Sequence, residues 1–547
     1  MIISPRTDRK ALWLTLLLVS LGVLVLLSAI LWSRTRPVEM HDLHLADGEK
    51  LRCVSYAPYH RPGQTPLQID TRIDREQIAA DLAALSKITD CVRLYSVAQG
   101  LDLVPELARP LGMKVLLGAW IGYEKALNAR ELEHAIALAN ANTDVVRALI
   151  VGNEVLLRRD QSPAVLADFI KEVKSRVSVP VTYADVWEFW LKNRELADLV
   201  DFVTIHTLPY WEDIPIAADK AAAHIDETVK MVRKSFPGKE ILIGEVGWPT
   251  AGRMREGALP SLSNQARLLS DVSRLAKAGD YKFNWIEVID QPWKRKSEGT
   301  VGGYWGLFEA GKETPKYMPG QPVSDHPHWK LQAGAGTGFA LLLFGLALWV
   351  AIRRNAGGAA RWLPVAAIAL TGGALVGLML EKLILESLTP LDWAFSSFRA
   401  VTMAFIALAG TAAIMADCPA PSLARLNGRA AAPASRAIRV LDILLAAFLF
   451  FAIQAALAMA FDPRYRDFPA ATLTVGAVPL LLLTFRSGTL DVKTAARWLA
   501  AGLAGAALFI AFREGYENWQ ALWFVATLAG GAALLASRQP DHKAEQQ

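Results

Sequence analysis

Hydrophobic and polar positions divide this chain into three parts. Residues 11–32 form an apolar run without a charged side chain, long enough for a helix to cross a hydrocarbon core of about 30 Å. The run is longer than the apolar region of a signal peptide, and no cleavage site of small residues follows it. After about residue 326, seven further apolar runs alternate with short polar loops. The pattern predicts a tail and anchor at 1–37, a globular domain at 38–325 and a membrane domain at 326–547.

Charged residues in the loops predict how the apolar segments are oriented. Loops on the cytoplasmic side of a membrane carry an excess of Lys and Arg. Here every second loop is basic, and the loops between them hold most of the acidic residues. We therefore predict about eight membrane helices, both termini in the cytoplasm, and a globular domain in the periplasm or outside the cell. The basic positions are Arg6, Arg9, Lys10, Arg353, Arg354, Arg361, Arg425, Arg429, Arg436, Arg439, Arg486, Lys493 and Arg497.

The middle part alternates short apolar runs with amphipathic stretches. Such an alternation of strands and helices predicts a parallel sheet, and eight units within about 250 residues predict a closed (β/α)8 TIM barrel. An open doubly wound sheet is the alternative, but no glycine-rich loop follows the first strand. The expected fold class is therefore α/β, with an all-α polytopic membrane domain and an N-terminal transmembrane anchor. The predicted strands lie at 51–57, 90–95, 113–119, 147–152, 180–184, 201–206, 240–246 and 283–289.

Composition excludes several classes of function. The net charge is +5, but the basic residues outside the globular domain lie mainly in membrane loops, so no nucleic-acid partner is predicted. The three cysteines are too few for a disulfide scaffold. Cys53 and Cys91 fall on the first two predicted strands and could pair in an oxidising compartment, but we expect two buried free thiols. No motif implies a metal or another cofactor, so neither is predicted.

Two glutamates follow apolar strands at the end of the barrel where TIM-barrel enzymes carry their chemistry. Glu154 follows the fourth strand in LIVGNEV, and Glu245 ends the seventh strand in ILIGEVGWPT. Strands four and seven lie across the barrel mouth from each other, so the two carboxylates can face a common cleft. A lone glutamate at a strand end is as easily explained by a salt bridge, but two opposed carboxylates are what glycoside hydrolysis needs. Asn153, directly before Glu154, could donate to a sugar 2-hydroxyl.

Aromatic residues concentrate near the same ends of the predicted strands. Flat rings complement the apolar C–H faces of sugars, so this concentration predicts a carbohydrate cleft. Ordinary core packing accounts for some of these rings, but it does not predict their clustering at one end of the barrel. From this set, Tyr56 and Trp120 are predicted to bind substrate. The aromatic residues are Tyr56, Tyr59, Tyr95, Trp120, Tyr123, Trp187, Trp190, Tyr210, Trp211, Trp248 and Trp293.

Four motifs make the globular domain resemble glycoside hydrolase family 17, the β-1,3-glucanase family. They are VRLYS at 92–96, IVGNEV at 150–155, GEVGWPT at 244–250 and YWGLFEAGKETPKY at 304–317, in the family's order. The resemblance implies that Glu154 is the acid/base and Glu245 the nucleophile of a retaining mechanism. By motif position it also implies that Tyr95, Asn153, Tyr210 and Trp248 line the sugar subsites.

The segment after the eighth strand departs from the pattern of the plant members of the family. Where they carry an F-N-E-like segment, this chain has EVIDQPWKR, so Glu287, Asp290, Gln291 and Trp293 are expected to reshape the acceptor or donor subsites. This departure and the membrane segments resemble bacterial membrane-bound relatives associated with periplasmic or cyclic β-glucan synthesis. The resemblance implies a bacterial cytoplasmic membrane as the location. No processive glycosyltransferase domain is recognisable in this chain.

Four hypotheses of function remain from the sequence. The first is a transglycosidase that elongates β-1,3-glucan or adds β-1,6 branches, and the second is a hydrolase of the same glucans. A covalent glycosyl-enzyme supports either outcome, and tethering beside glucan export favours transfer. The third is a glucan transporter with an accessory barrel, and the fourth is an inactive glucan-binding barrel. The expected partners are a β-glucan, the lipid bilayer and a membrane glucan synthase.

Two features inside the apolar runs have both a structural and a functional explanation. Arg399 lies within a predicted span, where an ionisable residue often marks a functional site, but we favour a structural ion pair with Glu381 or Glu386. The glycines at 334–338 only superficially resemble a nucleotide-binding loop. They lie in an apolar run without a preceding strand, so close packing of helices explains them better.

Overall fold

The computed structural model describes residues 5–40, 43, 45, 48–318, 320–356, 358–426, 435–487 and 494–536. The chain divides into two compact units, of which Pro37–Val323 is one and Met1–Arg36 together with Ser324–Gln547 is the other. Arg429 and Lys493, which contribute to the predicted topology, lie outside the described residues, and so do the side chains of Arg6, Arg9 and Lys10.

Eight parallel strands close into a barrel in the order in which they occur along the chain. This confirms the predicted (β/α)8 fold, and each predicted strand overlaps an observed one. The first helix of the chain, α1 (Pro5–Thr35), belongs to the other unit. The strands are β1 Val54–Ser55, β2 Cys91–Arg93, β3 Lys114–Ala119, β4 Val146–Asn153, β5 Val181–Val186, β6 Val203–His206, β7 Ile241–Val246 and β8 Lys282–Trp285.

Helices cover the outside of the barrel. Side chains alternate between the two faces of each strand, so every second residue points outward and is buried against these helices. Outward residues such as Val92 and Ile243 belong to one buried cluster with helix residues such as Ile78 and Leu268. This cluster is the larger core of the unit. The helices are α2 Arg75–Leu85, α3 Val104–Ala108, α4 Lys125–Ala141, α5 Pro163–Arg176, α6 Trp187–Lys192, α7 Ala218–Ser235, α8 Leu262–Gly279 and α9 Arg295–Gly302.

Inside the barrel an apolar floor lies below a polar layer. Side chains two residues apart on a strand share a face, so Ser55 and Arg93 lie one layer closer to the carboxyl ends than Cys53 and Cys91. In the polar layer the Asn284 Nδ2 donates to Ser55 Oγ over 2.6 Å. The polar layer therefore forms the base of the barrel mouth. The floor consists of Cys53, Cys91, Leu116, Ala148, Ile150, Ala184 and Leu242.

The expectation of two free thiols in the barrel is wrong, because Cys53 and Cys91 form a disulfide. The parallel register pairs Val54 with Val92, which places the two preceding residues directly opposite each other. Their Cα atoms are 4.3 Å apart, and both side chains point into the floor. The sequence indicates neighbouring strands but not their register, and the register decides whether the two sulfurs meet.

The second unit consists of long helices. Seven of the described helices are long and apolar enough to cross a membrane, α1 among them, and Ala470–Arg486 is a shorter apolar helix. These eight match the eight predicted spans, and the shorter one contains Pro479. The helices after the barrel are α10 Trp329–Arg354, α11 Ala359–Glu386, α12 Pro390–Ala416, α13 Leu423–Leu426, α14 Arg436–Phe461, α15 Ala470–Ser487, α16 Thr494–Glu514 and α17 Trp519–Ala536.

Both structural explanations given for features of the apolar runs are confirmed. A Cβ added at Gly336 would lie 2.0 Å from the carbonyl oxygen of Gly373, so glycine lets α10 and α11 approach closely. Arg399 on α12 pairs with Glu386 on α11, with 3.7 Å between Nη2 and Oε2.

Candidate active site

Glu154 follows β4 at a bend of the backbone. Gly152 has a φ of +85°, and an added Cβ would lie 2.6 Å from Cγ2 of Val155, so the position requires glycine. Glu154 itself has a φ of +54°. The pairing of β4 with β5 also shifts register between Ile150 and Asn153. Such irregularities redirect side chains at the ends of strands. They let the consecutive side chains of Asn153 and Glu154 both reach the barrel mouth.

Glu245 reaches the mouth from the opposite side of the barrel. It lies in β7 and pairs in register with His206, the last residue of β6. The ladders on both sides of β7 shift register near this point. A Cβ added at Gly244 would lie 2.5 Å from Cγ2 of Thr204 and 3.2 Å from two atoms of the His206 ring, so the glycine leaves room for both side chains. The His206 Nδ1 then lies 3.7 Å from Glu245 Oε2.

A guanidinium holds the buried Glu245 as a carboxylate. Arg93 Nη1 donates to Glu245 Oε1 over 2.8 Å, and the two residues are only 1% and 4% exposed. Burial alone would raise the pKa of Glu245, but the charges of His206, Arg93 and Lys294 together lower it below the usual value. Glu245 is therefore ionised at neutral pH.

Glu154 faces Glu245 with His206 between them. Glu154 Oε1 lies 3.0 Å from His206 Nδ1, and its side chain keeps 23% of its surface exposed. One carboxylate oxygen from each glutamate and one imidazole nitrogen all lie within 4.8 Å of one another. Two carboxylates and an imidazole could in principle hold a metal ion. The Arg93 guanidinium already neutralises one of these carboxylates, which disfavours a second cation.

Arg93 connects the two glutamate-bearing strands. Its Nη2 donates to Asn153 Oδ1, and its Nη1 also donates to the backbone carbonyl of Gly244 over 3.1 Å. The guanidinium carbon lies 4.5 Å from the centre of the Tyr95 ring. Asn153 is buried, and Arg93 donates to its carboxamide oxygen. The NH₂ group of Asn153 therefore faces away from the guanidinium.

A second group of buried charges lies beyond β8. Lys294 Nζ donates to Glu287 Oε1, and Glu287 is 2% exposed. Burial raises the pKa of Glu287 to about 7, although the Lys294 ammonium opposes this. Burial also raises the pKa of Glu298 on α9, where Lys294 acts against burial and the charges of Glu154 and Glu245 add to it. The predicted subsite residue Glu287 and its neighbour Glu298 thus interact electrostatically with the strand-end glutamates.

Gln291 and Trp293 have different roles in the loop after β8. Gln291 Nε2 donates to the carbonyl oxygens of Ala57 and Ile289 over 2.8 and 3.0 Å. Its Oε1 accepts from Trp293 Nε1 over 2.8 Å. Gln291 is buried and supports the loop, while the partly buried Trp293 keeps ring surface accessible. Asp290, in the same loop, is buried and pairs with Lys316 over 2.7 Å.

Trp120 is the predicted sugar-binding ring that the structure leaves most open. It is 40% exposed, and the guanidinium carbon of Arg158 lies 4.1 Å from its ring centre. Arg158 also donates to the backbone carbonyl of Asn153, next to Glu154. The backbone N–H of Trp120 donates to Glu131 Oε1 over 3.2 Å. The ring is therefore held in place beside the barrel mouth.

Three other predicted sugar-binding rings lie in the core instead. Tyr56 is fully buried and its hydroxyl donates to Asp81 on α2 over 2.8 Å. Tyr210 and Trp248 are also fully buried and pack edge to face, 6.1 Å apart. None of the three offers a free ring face to a sugar. Tyr95 is partly buried, and burial followed by the charge of Glu245 raises the pKa of its hydroxyl.

Four residues of the site were not predicted from the sequence: Arg93, His206, Lys294 and Glu298. Arg93 and His206 satisfy the criterion that found the glutamates, because each is a polar residue at the carboxyl end of an apolar strand. Lys294 and Glu298 carried no such signal, since they lie on a helical excursion after β8 whose path the sequence does not indicate.

Comparison with known proteins shows that the barrel sequence is similar to a family of glycoside hydrolase domains. Residues 53–306 match the family model described as the BtgE/BtgC glycoside hydrolase domain. The barrel is therefore similar to a glycoside hydrolase domain. The match confirms the resemblance to a glycoside hydrolase that the four motifs indicate. It leaves the bacterial origin a prediction.

Curated relatives match about half of this chain. The probable beta-glucosidase btgE of Aspergillus fumigatus is 27% identical over 264 residues, which are 47% of this chain and 45% of the relative. The putative glucan endo-1,3-beta-glucosidase btgC of Aspergillus niger is 27% identical over 305 residues, 50% of this chain and 43% of the relative. The chain thus spans about half the length of the curated relatives it matches.

A solved structure also resembles this chain. The glycoside hydrolase family 17 β-1,3-glucanosyltransferase from Rhizomucor miehei is 27% identical, covers 50% of this chain and 97% of its own, and superposes with a TM-score of 0.43.

Proposed function

We propose that this protein is a membrane-anchored retaining transglycosidase that acts on β-1,3-glucans outside the cytoplasmic membrane. Glu154 is its acid/base and Glu245 its nucleophile. The observation that carries the proposal is the pair itself: an ionised, buried Glu245 held by Arg93 faces a partly exposed Glu154.

The spacing of the two carboxylates supports retention of anomeric configuration. In retaining glycosidases the carboxyl groups are about 5–5.5 Å apart, whereas inverting enzymes separate them by about 6.5–9.5 Å to admit a water molecule. Oxygens of Glu154 and Glu245 lie within 4.8 Å of each other. This separation favours direct attack by Glu245 on the sugar.

The reaction proceeds in two steps. Glu154 donates its proton to the glycosidic oxygen while Glu245 attacks the anomeric carbon. The glycosidic bond breaks, and a glycosyl ester on Glu245 forms. Glu154, now a carboxylate, takes the proton of an incoming hydroxyl, whose oxygen attacks the anomeric carbon and releases Glu245. A sugar hydroxyl gives transfer, with elongation or β-1,6 branching as the outcome, and water gives hydrolysis. His206 Nδ1, near both glutamates, stabilises whichever of them carries the negative charge.

Two observations support a location at the membrane with the barrel outside the cytoplasm. The apolar helices of the second unit are long enough to span a bilayer. The barrel contains the Cys53–Cys91 disulfide, and disulfides persist in the periplasm and outside the cell rather than in the cytosol. In this orientation Arg361 and Arg486, which both pair with Asp417, lie on the cytoplasmic side.

The substrate class and the partners follow from the same elements. The matched relative from Aspergillus niger is described as a glucan endo-1,3-beta-glucosidase, which supports a β-1,3-glucan as the donor. That description also favours hydrolysis as the second candidate function. The tether favours transfer, because it keeps the barrel at high local concentration beside chains that leave the membrane. A membrane glucan synthase would be the natural partner of such a tethered enzyme.

Product analysis tests the proposal. Full-length protein in detergent is incubated with β-1,3-gluco-oligosaccharides, and Glu245→Gln serves as the isosteric control. We expect products longer than the donor, identified by mass spectrometry, and linkage analysis separates elongation from 6-linked branching. Shorter products alone would replace transfer with hydrolysis. Wild type indistinguishable from Glu245→Gln would contradict the catalytic assignment.

A further inference from the structure

We propose that the Cys53–Cys91 disulfide is a positioning element for the nucleophile: it fixes β2 beneath the mouth so that Arg93 holds Glu245. The inference rests on the proposed function, because it concerns the same carboxylate. It makes catalytic activity, and not only stability, depend on the oxidation state of this pair.

The disulfide lies directly below Arg93. Cys91 and Arg93 are the first and last residues of the three-residue strand β2, and side chains two apart on a strand share a face. Both are 1% exposed. The backbone between them has little freedom. The position of the Cys91 Sγ therefore constrains the backbone position from which the Arg93 side chain extends.

The seam that the disulfide closes is one of the two shortest in the barrel, and β1 takes part in both. Strand β1 has two residues, and its ladder with β2 registers only Val54 with Val92 and Ser55 with Arg93. Its ladder with β8 registers a single pair, Val54 with Trp285. The covalent bridge therefore adds to a seam that has few ladder residues of its own.

Hydrogen bonds in the polar layer carry this constraint to the nucleophile. Arg93 Nη1 and Asn284 Nδ2 donate to the same acceptor, the carbonyl oxygen of Gly244, over 3.1 and 2.9 Å. Asn284 also donates to Ser55 on β1. The residue after Gly244 is Glu245. A shift of β2 against β1 would therefore change the distance from the guanidinium to the nucleophile, on which the charge balance of Glu245 depends.

The covalent step is an ordinary oxidation of two thiols. Cys53 and Cys91 together lose two protons and two electrons to a disulfide-bearing oxidant of the compartment, which is reduced to its dithiol. Until that step is complete, the barrel is folded but its nucleophile is poorly held.

The test compares full-length wild type with Cys53→Ala/Cys91→Ala and with Cys53→Val/Cys91→Ala, which restores part of the lost volume. Cys418→Ala, which removes the free cysteine of the other unit, is the matched control. We measure kcat and KM separately on β-1,3-gluco-oligosaccharides, the pH profile of kcat/KM, and circular dichroism at the assay temperature. Alkylation of the denatured, unreduced wild type should modify one cysteine of three.

We expect both double variants to lose roughly tenfold in kcat with little change in KM, because a misplaced catalytic group costs rate more than binding. The acidic limb of their profiles should move to higher pH, since a more distant guanidinium lowers the pKa of Glu245 less. A purely structural disulfide would lower thermal stability and leave both readouts unchanged, which would overturn the inference, as would three alkylated thiols in active wild type.

Two further outcomes distinguish a failure of the proposed function from a failure of this inference. Inactive wild type would overturn the proposed function and this inference together, whereas active wild type with unaltered folded variants would overturn the inference alone. If neither double variant folds, graded reduction of the wild type replaces them. Activity that falls in proportion to the alkylated fraction, with circular dichroism unchanged, supports the inference, and full activity after complete reduction contradicts it.

Discussion

Replacing Lys294 by methionine should destabilise the barrel in a strongly pH-dependent way. The substitution keeps the length of the side chain and removes the ammonium that pairs with the buried Glu287. Breaking a buried ion pair by removing one partner costs about 3–5 kcal/mol, because the other charge remains buried and unpaired. Glu287 can escape this cost only by taking up a proton.

The sign of the pH dependence follows from the raised pKa of Glu287. Burial raises this pKa to about 7 in the folded wild type, so the folded state binds more protons than the unfolded state between the unfolded value and about 7. Stability therefore falls as the pH rises through this window, by about 3 kcal/mol for this group. Without Lys294 the folded-state pKa of Glu287 rises further. The variant should therefore lose about 3–5 kcal/mol of stability near pH 8, where Glu287 of the wild type is ionised, and much less near pH 5, where it is protonated.

Thermal unfolding of the barrel, followed by near-ultraviolet circular dichroism at pH 5 and pH 8, measures this difference. Lys282→Met is the matched control, since Lys282 and Glu240 form an exposed pair that should contribute less than about 1 kcal/mol. Lys294→Met/Glu287→Gln should recover most of the loss, because it removes the unpaired charge. Equal losses at both pH values, or no difference from Lys282→Met, would refute the reasoning.

Three further predictions concern the acid/base, the open aromatic ring and the disulfide. Glu154→Ala should regain turnover with azide, giving a β-glycosyl azide whose anomeric configuration is read by proton NMR; an α-azide would contradict retention. Trp120→Ala should raise KM for long oligosaccharides by about three- to tenfold, consistent with a stacking contribution of about 0.5–1.5 kcal/mol, while Trp120→Phe stays near wild type; equal KM values for both would exclude stacking. Removing the disulfide, whose cysteines are 38 residues apart, should lower the free energy of unfolding by about 4 kcal/mol in denaturant titrations, and an unchanged midpoint would show that the bond does not form.

Much of the fold could be predicted from the sequence because its pattern is simple. Eight apolar strands separated by helical stretches specify a closed parallel barrel, and the chemistry of this fold lies at one end of the strands. The positions of Glu154 and Glu245 follow from that rule alone. Arg93 and His206 follow from it equally well, and would have been found had every polar strand-end residue been considered.

What could not be predicted depends on orientation and register. A position at a strand end does not show whether a ring turns into the mouth or into the core, so Trp120 and the fully buried Tyr210 look alike in sequence. The pairing of Cys53 with Cys91 needs the β1–β2 register. Lys294 meets Glu287 only because the chain turns back after β8, and no periodic pattern records that turn.

The most direct test of the central claim is to trap the glycosyl-enzyme. Full-length protein is incubated with a 2-deoxy-2-fluoro-β-glucosyl donor, which slows release of the ester more than its formation, and peptides are then mapped by mass spectrometry. We expect one added fluoroglucosyl group on the peptide that contains Glu245, and none in Glu245→Gln. A label on another carboxylate, or turnover of β-1,3-glucan without any label, would contradict it.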